Sequence, residues 1–145
     1  MKYIAGICLF IAACGNPKPN EEVTLTGNAT QESLKHKHFE WSHWSVKSRQ
    51  DSVPFPNGKP SLDMGDSGRM GGYTGCNQFT GKYSMKDGSI TIKITGQTKM
   101  FCLHVAETEL IDHAGKVNRY KFAGNSLTLY TPGGDSSVWL EKSRN

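Results

Sequence analysis

Cysteine, histidine, serine and the acidic residues are where this chain has chemistry beyond packing. Four cysteines occur, at positions 8, 14, 76 and 102. Neither Cys76 nor Cys102 lies in a Cys-x-x-Cys arrangement, so a thioredoxin-like exchange reaction has no support. His36, His38 and His43 lie close in sequence, while His104 and His113 bracket a later segment. Zinc requires three or four converging ligands held by further contacts behind them. No His-Glu-x-x-His pattern occurs, and His36 and His38 lie in a polar stretch with nothing to fix them. Ser42, His43 and Asp51 are present without the Gly-x-Ser-x-Gly elbow that would present a nucleophile. Gly68, Gly71, Gly72 and Gly75 lack the Lys-Ser/Thr of a phosphate loop. Asp63 and Asp66 flank a glycine-rich turn, and Glu107 and Glu109 fall on different faces of one helix. The expectation is a protein with no catalytic residue, no metal and no cofactor.

Cys14 has a different context. Met1-Lys2 supplies a positive charge, and Tyr3 to Ala13 is an uncharged, mainly apolar run of eleven residues. A bilayer-spanning helix needs roughly 20 apolar residues, so this run fits the core of an export signal instead. It ends in Ile11-Ala12-Ala13-Cys14, which resembles the lipobox of bacterial lipoproteins. That resemblance implies cleavage before Cys14 and acylation of its thiol. Two acyl chains, at about 0.8 kcal/mol per buried CH₂, give stable anchoring without a spanning segment. Gly15 rather than Asp follows, which by the same resemblance favours the outer membrane, facing the periplasm. In that oxidising compartment Cys76 and Cys102 are left as one pair, either bridged or as two buried thiols. A bridge would close a loop of about 27 residues, worth roughly 3.5 kcal/mol by the loop-entropy estimate.

The elements that must position these residues follow from length and periodicity. A chain of 145 residues suggests a single domain. Its net charge of +4 falls to about +3 without Lys2, too mild and too mixed for nucleic-acid binding. Residues 1–13 read as the signal, 14–37 as the lipidated cysteine and a flexible tether, and 38–145 as the folded domain. Phe79, Gly81 and Tyr83 alternate with polar residues, as do Ile90, Ile92 and Ile94. Asp87-Gly88 between them supplies a tight hairpin turn. Gly124-Asn125 and Pro132-Gly133-Gly134-Asp135 mark two further turns, between strands at Tyr120–Phe122, Leu127–Leu129 and Val138–Leu140. Less regular strands run near Trp44, Leu62–Met64 and Met70–Tyr73. His104 to Lys116 lacks alternation, has Leu110, Ala114 and Val117 at helical spacing, and carries Glu107 and Glu109 early, where the helix dipole favours them. The predicted order is five strands, one helix and three strands.

The segment Gly72-Tyr73-Thr74-Gly75-Cys76-Asn77-Gln78-Phe79-Thr80-Gly81-Lys82-Tyr83, followed by Thr98-Lys99-Met100-Phe101-Cys102, resembles the signature of the META domain family, which includes HslJ-like heat-shock lipoproteins. The likeness extends over about Phe39 to Lys142 and departs at Phe101, where the family often has a small residue. Physically the motif reads as structural: glycines for turns and close approach, Asn77 to satisfy backbone at a bend, Phe79 and Tyr83 for core volume. The predicted fold is mainly antiparallel β, a partly open barrel or curved sheet, with one helix closing one side. The resemblance implies a non-enzymatic envelope lipoprotein, binding a protein partner or an apolar, lipid-like molecule and taking part in envelope stress or antibiotic tolerance. The alternative is a pilotin-like assembly factor. Trp41, Phe101 and Trp139, which sit outside the clean alternation, are the expected lining of an apolar cleft. An internal ligand predicts such a cleft; an assembly factor predicts a filled interior and an exposed apolar patch.

Overall fold

A computed structural model describes residues 30–45, 55, 57–103 and 106–143. Cys14, the signal, most of the tether, Val46, Asp51 and His104 lie outside the described residues. The chain forms β1 (His38–Ser45), β2 (Ser61–Met64), β3 (Arg69–Tyr73), β4 (Gln78–Lys86) and β5 (Ser89–Gln97). A helix (Glu107–Lys116) follows, and then β6 (Arg119–Ala123), β7 (Ser126–Tyr130) and β8 (Ser136–Lys142). The predicted order of elements is the observed one. The β4–β5 turn takes positive φ at Asp87 and Gly88, as a tight hairpin demands.

The strands pair antiparallel in sequence order, and β8 returns to β1, so the barrel is closed rather than partly open. Its weakest seam is β5–β6, joined by the single register pair Ser89↔Arg119. The long helix lies against this side, with Leu110 and Ala114 meeting Ile92 and Ile94. The return of β8 to β1 removes the terminal strand edges, while β5 beyond Ser89 has no β6 partner and packs against the helix.

Eight strands leave an interior about wide enough for side chains to fill. Phe39, Leu62, Met64, Phe79, Tyr83, Ile90, Ile92, Leu127, Leu129 and Trp139 fill it here. The alternation on β4 holds, with Phe79, Gly81 and Tyr83 buried between exposed neighbours. The alternation turns position 81 inward, and glycine is required there because a Cβ would lie 2.7 Å from the Lys93 carbonyl oxygen.

Ordered structure among the described residues begins before the expected domain start at 38. A four-residue helix (Gln31–Leu34), capped by Thr30, packs Leu34 fully into the core. His36 N donates to Met64 O at 2.7 Å, and Met64 N donates to Lys37 O at 2.9 Å. Leu34 is one scattered aliphatic in a polar stretch, and it shows no periodicity because a single anchoring residue needs none.

Candidate functional site

The signature residues converge at the corner where β3 turns into β4. Thr74, Cys76 and Asn77 are all buried there. Gly75 adopts φ +91°, and a Cβ would press on the Phe55 ring at 2.5 Å, so the turn needs glycine. Thr74 Oγ1 accepts from Asn77 N at 2.8 Å and donates to Glu107 Oε1 at 2.5 Å. Asn77 uses its whole amide. Its Oδ1 accepts from Met100 N at 2.7 Å and Thr98 Oγ1 at 2.8 Å. Its Nδ2 donates to Met100 O and Glu107 Oε2, both at 3.0 Å. Gln97 Nε2 donates to Glu107 Oε1 at 2.6 Å. Cys76 and Cys102 are joined as a disulfide with their Cα atoms 5.9 Å apart.

One network thus ties three segments: the β3–β4 turn, the loop after β5 and the first turn of the long helix. The sequence reading put Asn77 at a bend satisfying backbone; the fold makes it bind the backbone of a loop 23 residues away. Hydrogen bonds to a charged group contribute about 1.5–3 kcal/mol each, and a buried network of this kind is rigid when every member is satisfied.

What the network holds in place is apolar and exposed. Met100, Phe101 and Leu103 are the exposed large hydrophobic residues among those described, at 59%, 88% and 65% exposure. Phe101 is therefore not a cleft-lining residue. Its backbone neighbours are fastened by Asn77 and the disulfide, and its side chain is displayed outward.

Trp41 and Trp139 do not line an open cleft either. They are register partners on β1 and β8, their rings edge-to-face at 5.3 Å inside the barrel. A register shift between Trp41 and His43 breaks the alternation on β1, which is why periodicity did not place Trp41. Trp139 borders a residual void of about 20 Å³, room for one water at most. Trp44 stacks edge-on against His113 of the long helix at 4.7 Å. Burial pushes the His113 imidazole pKa down, against the raising effects of a hydrogen bond to the Leu129 backbone and of Asp135. Its Nε2 is buried without a hydrogen-bond partner.

The other histidines are spread apart. His38 Nδ1 meets Asp63 Oδ1 at 2.9 Å, His36 lies 3.4 Å from Asp66, and His43 bonds Ser42. Among the described residues no three His, Cys, Asp or Glu side chains group as a metal site would require.

The fold and corner together define a small closed β-barrel with a disulfide-clamped apolar loop at one end. The META domain model matches residues 32–144, so the chain belongs to the META domain family. A protein from Burkholderia xenovorans solved by NMR superimposes with a TM-score of 0.70 at 19% identity, covering 99% of both chains. The crystal structure of a DUF4847 family protein from Bacteroides vulgatus ATCC 8482 gives 0.63 at 12% identity, over 79% of this chain and 99% of that one. These likenesses bear on fold alone. No curated protein matches the sequence.

Proposed function

We propose that the protein is a non-enzymatic envelope lipoprotein, anchored through Cys14, whose barrel presents the Met100–Leu103 loop to a protein partner. The observation that carries this reading is the pairing of a filled interior with three exposed apolar side chains on a clamped loop. A void of about 20 Å³ holds no lipid-like molecule, so the internal-ligand branch of the expectation loses its support. Apolar side chains fastened on a rigid loop give up little conformational entropy on docking, the condition for an efficient hot spot. The same pairing favours an assembly-factor role over a small-molecule carrier. The anchor rests on the lipobox resemblance and on the charge and length of the N-terminal segment.

A photoreactive amino acid placed at position 101 in the anchored protein tests the reading in the cell. A discrete protein adduct, diminished by Met100→Ser/Leu103→Ser, is expected. The same adducts from a control probe at Lys86 on the far hairpin, or none at 101, would reject it.

A further inference from the structure

A second feature lies on the outer surface of β2–β5 and runs up to Gln97 and Thr98, where the loop after β5 begins. Two cross-strand rows run there. One is Ser61–Tyr73–Gln78, and the next is Asp63–Gly71–Thr80–Gly96. Gly96, which bears no side chain, leaves bare backbone at the β5 end of the second row. A Cβ at Gly96 would sit 3.0 Å from Thr80 Oγ1, so the glycine lets the Thr80 side chain lie close against β5. The result is an open trough of about 520 Å³. Glycine inside a strand weakens it and recurs where a ligand approaches the backbone closely. A bulge between Thr80 and Gly81 crosses the same place.

The chemistry of the walls narrows the occupant. Among the described residues, the Ser61 hydroxyl, the Gln78 amide and the Thr80 hydroxyl make no hydrogen bond within the protein. Tyr73 supplies an aromatic face, and its hydroxyl is held by Asn57 O at 3.2 Å, which fixes the ring. Asp63 is the lone charged group in the lining, and His38 already bonds it. An anion would need a cation in the trough, and the basic row Arg69–Lys82–Lys93 does not line it. An added β-strand would need a free edge; β2 to β4 are each paired on both sides, and β5, joined to β6 only at Ser89, packs against the helix on that side. An apolar ligand would strand the hydroxyls and amides. A neutral ligand with many hydroxyls around an apolar C–H face satisfies every wall. A trough open at the surface, rather than an enclosed pocket, suits a chain of such units.

We propose that this trough binds a neutral glycan chain, stacking one sugar ring on Tyr73 and hydrogen-bonding its hydroxyls to Ser61, Gln78 and Thr80. The site borders the base of the apolar loop at Gln97 and Thr98 but uses none of Met100, Phe101 and Leu103, so it does not rest on the protein-partner reading.

The test is a titration of the full chain, isotope-labelled and held in detergent micelles, with cellotetraose, chitotetraose and maltotetraose followed by NMR. Saturable shifts confined to β2–β5 with at least one of the three are expected. Gln78→Ala, which removes a side chain with no protein hydrogen bond to lose, should weaken binding about tenfold, and Gly96→Val should block it. A Gln78→Ala spectrum matching the parent outside the trough shows that the fold is kept. The proposal is overturned by any of three results: no saturable shift up to about 10 mM of any sugar; shifts located at the exposed loop; or parental affinity in Gln78→Ala.

Discussion

The barrel interior and the β3–β4 corner hold the same molecule together by opposite means. In the interior, Phe39, Leu127 and Trp139 are excluded from water and need only volume and shape to match. At the corner, Thr74, Asn77 and Glu107 are joined by directed bonds and a covalent bridge, and the apolar residues face outward. Non-directional burial builds the scaffold, while directional bonding places a surface feature that burial alone would have hidden. Glu107 shows the cost of such an arrangement: three donors are needed to hold one carboxylate beside buried groups.

That contrast breaks most easily in the interior. Phe39→Ala, at a fully buried site, should destabilise the protein by about 3–5 kcal/mol in urea unfolding, since the void cannot collapse inside a closed barrel. Next comes the bridge. Replacing Cys76 and Cys102 together by Ala should remove roughly 3.5 kcal/mol. The loss should vanish when both proteins are compared in reductant; if it persists there, the cysteines matter through packing. Asn77→Ala should cost about 2–3 kcal/mol by leaving the Met100 backbone and Glu107 short of partners. Faster amide exchange at residues 98–103, with the barrel strands unaffected, would be its signature.

The pH response of His113 is a smaller effect. Its folded pKa lies below the unfolded value of about 6.5, so the unfolded chain takes up the proton first. This contribution to stability is intact above the unfolded pKa. It falls as pH drops from there toward the lowered folded value. Denaturation midpoints measured across that window should decline with acid, and His113→Phe should flatten the decline. Smallest of all is Phe101→Ser, which should change stability by no more than about 0.5 kcal/mol because the ring contacts little. Its effect should appear as weaker crosslinking from a photoreactive residue placed at position 103, where the proposed partner would dock. A large loss of stability would mean that the loop is part of the core after all.

Much of this was legible in the order of residues. Ile90, Ile92 and Ile94 announce a strand, Asp87-Gly88 its turn, and Leu110 with Ala114 a helix, because those signals are local and periodic. The corner was partly legible. The motif names Asn77, Cys76, Met100 and Cys102, and marks Glu107 or Glu109 as an acidic helix start without showing what either would bind. The bonds of Glu107 to Thr74 and Asn77 reach across 33 and 30 residues, and no spacing rule covers that distance. Trp41, Phe101 and Trp139 looked alike in sequence because all three break alternation. The fold separates them into two core rings and one exposed ring.

The sequence by itself determined the strands, the turns, the helix and the family, since each depends on neighbours a few residues apart or on a compact motif. Tertiary structure alone decided that β8 meets β1, that Leu34 belongs to the core, that the interior is full and that the Met100–Leu103 loop faces outward. Those outcomes depend on which distant surfaces compete for the same space, and excluded volume acts only once the chain has closed on itself.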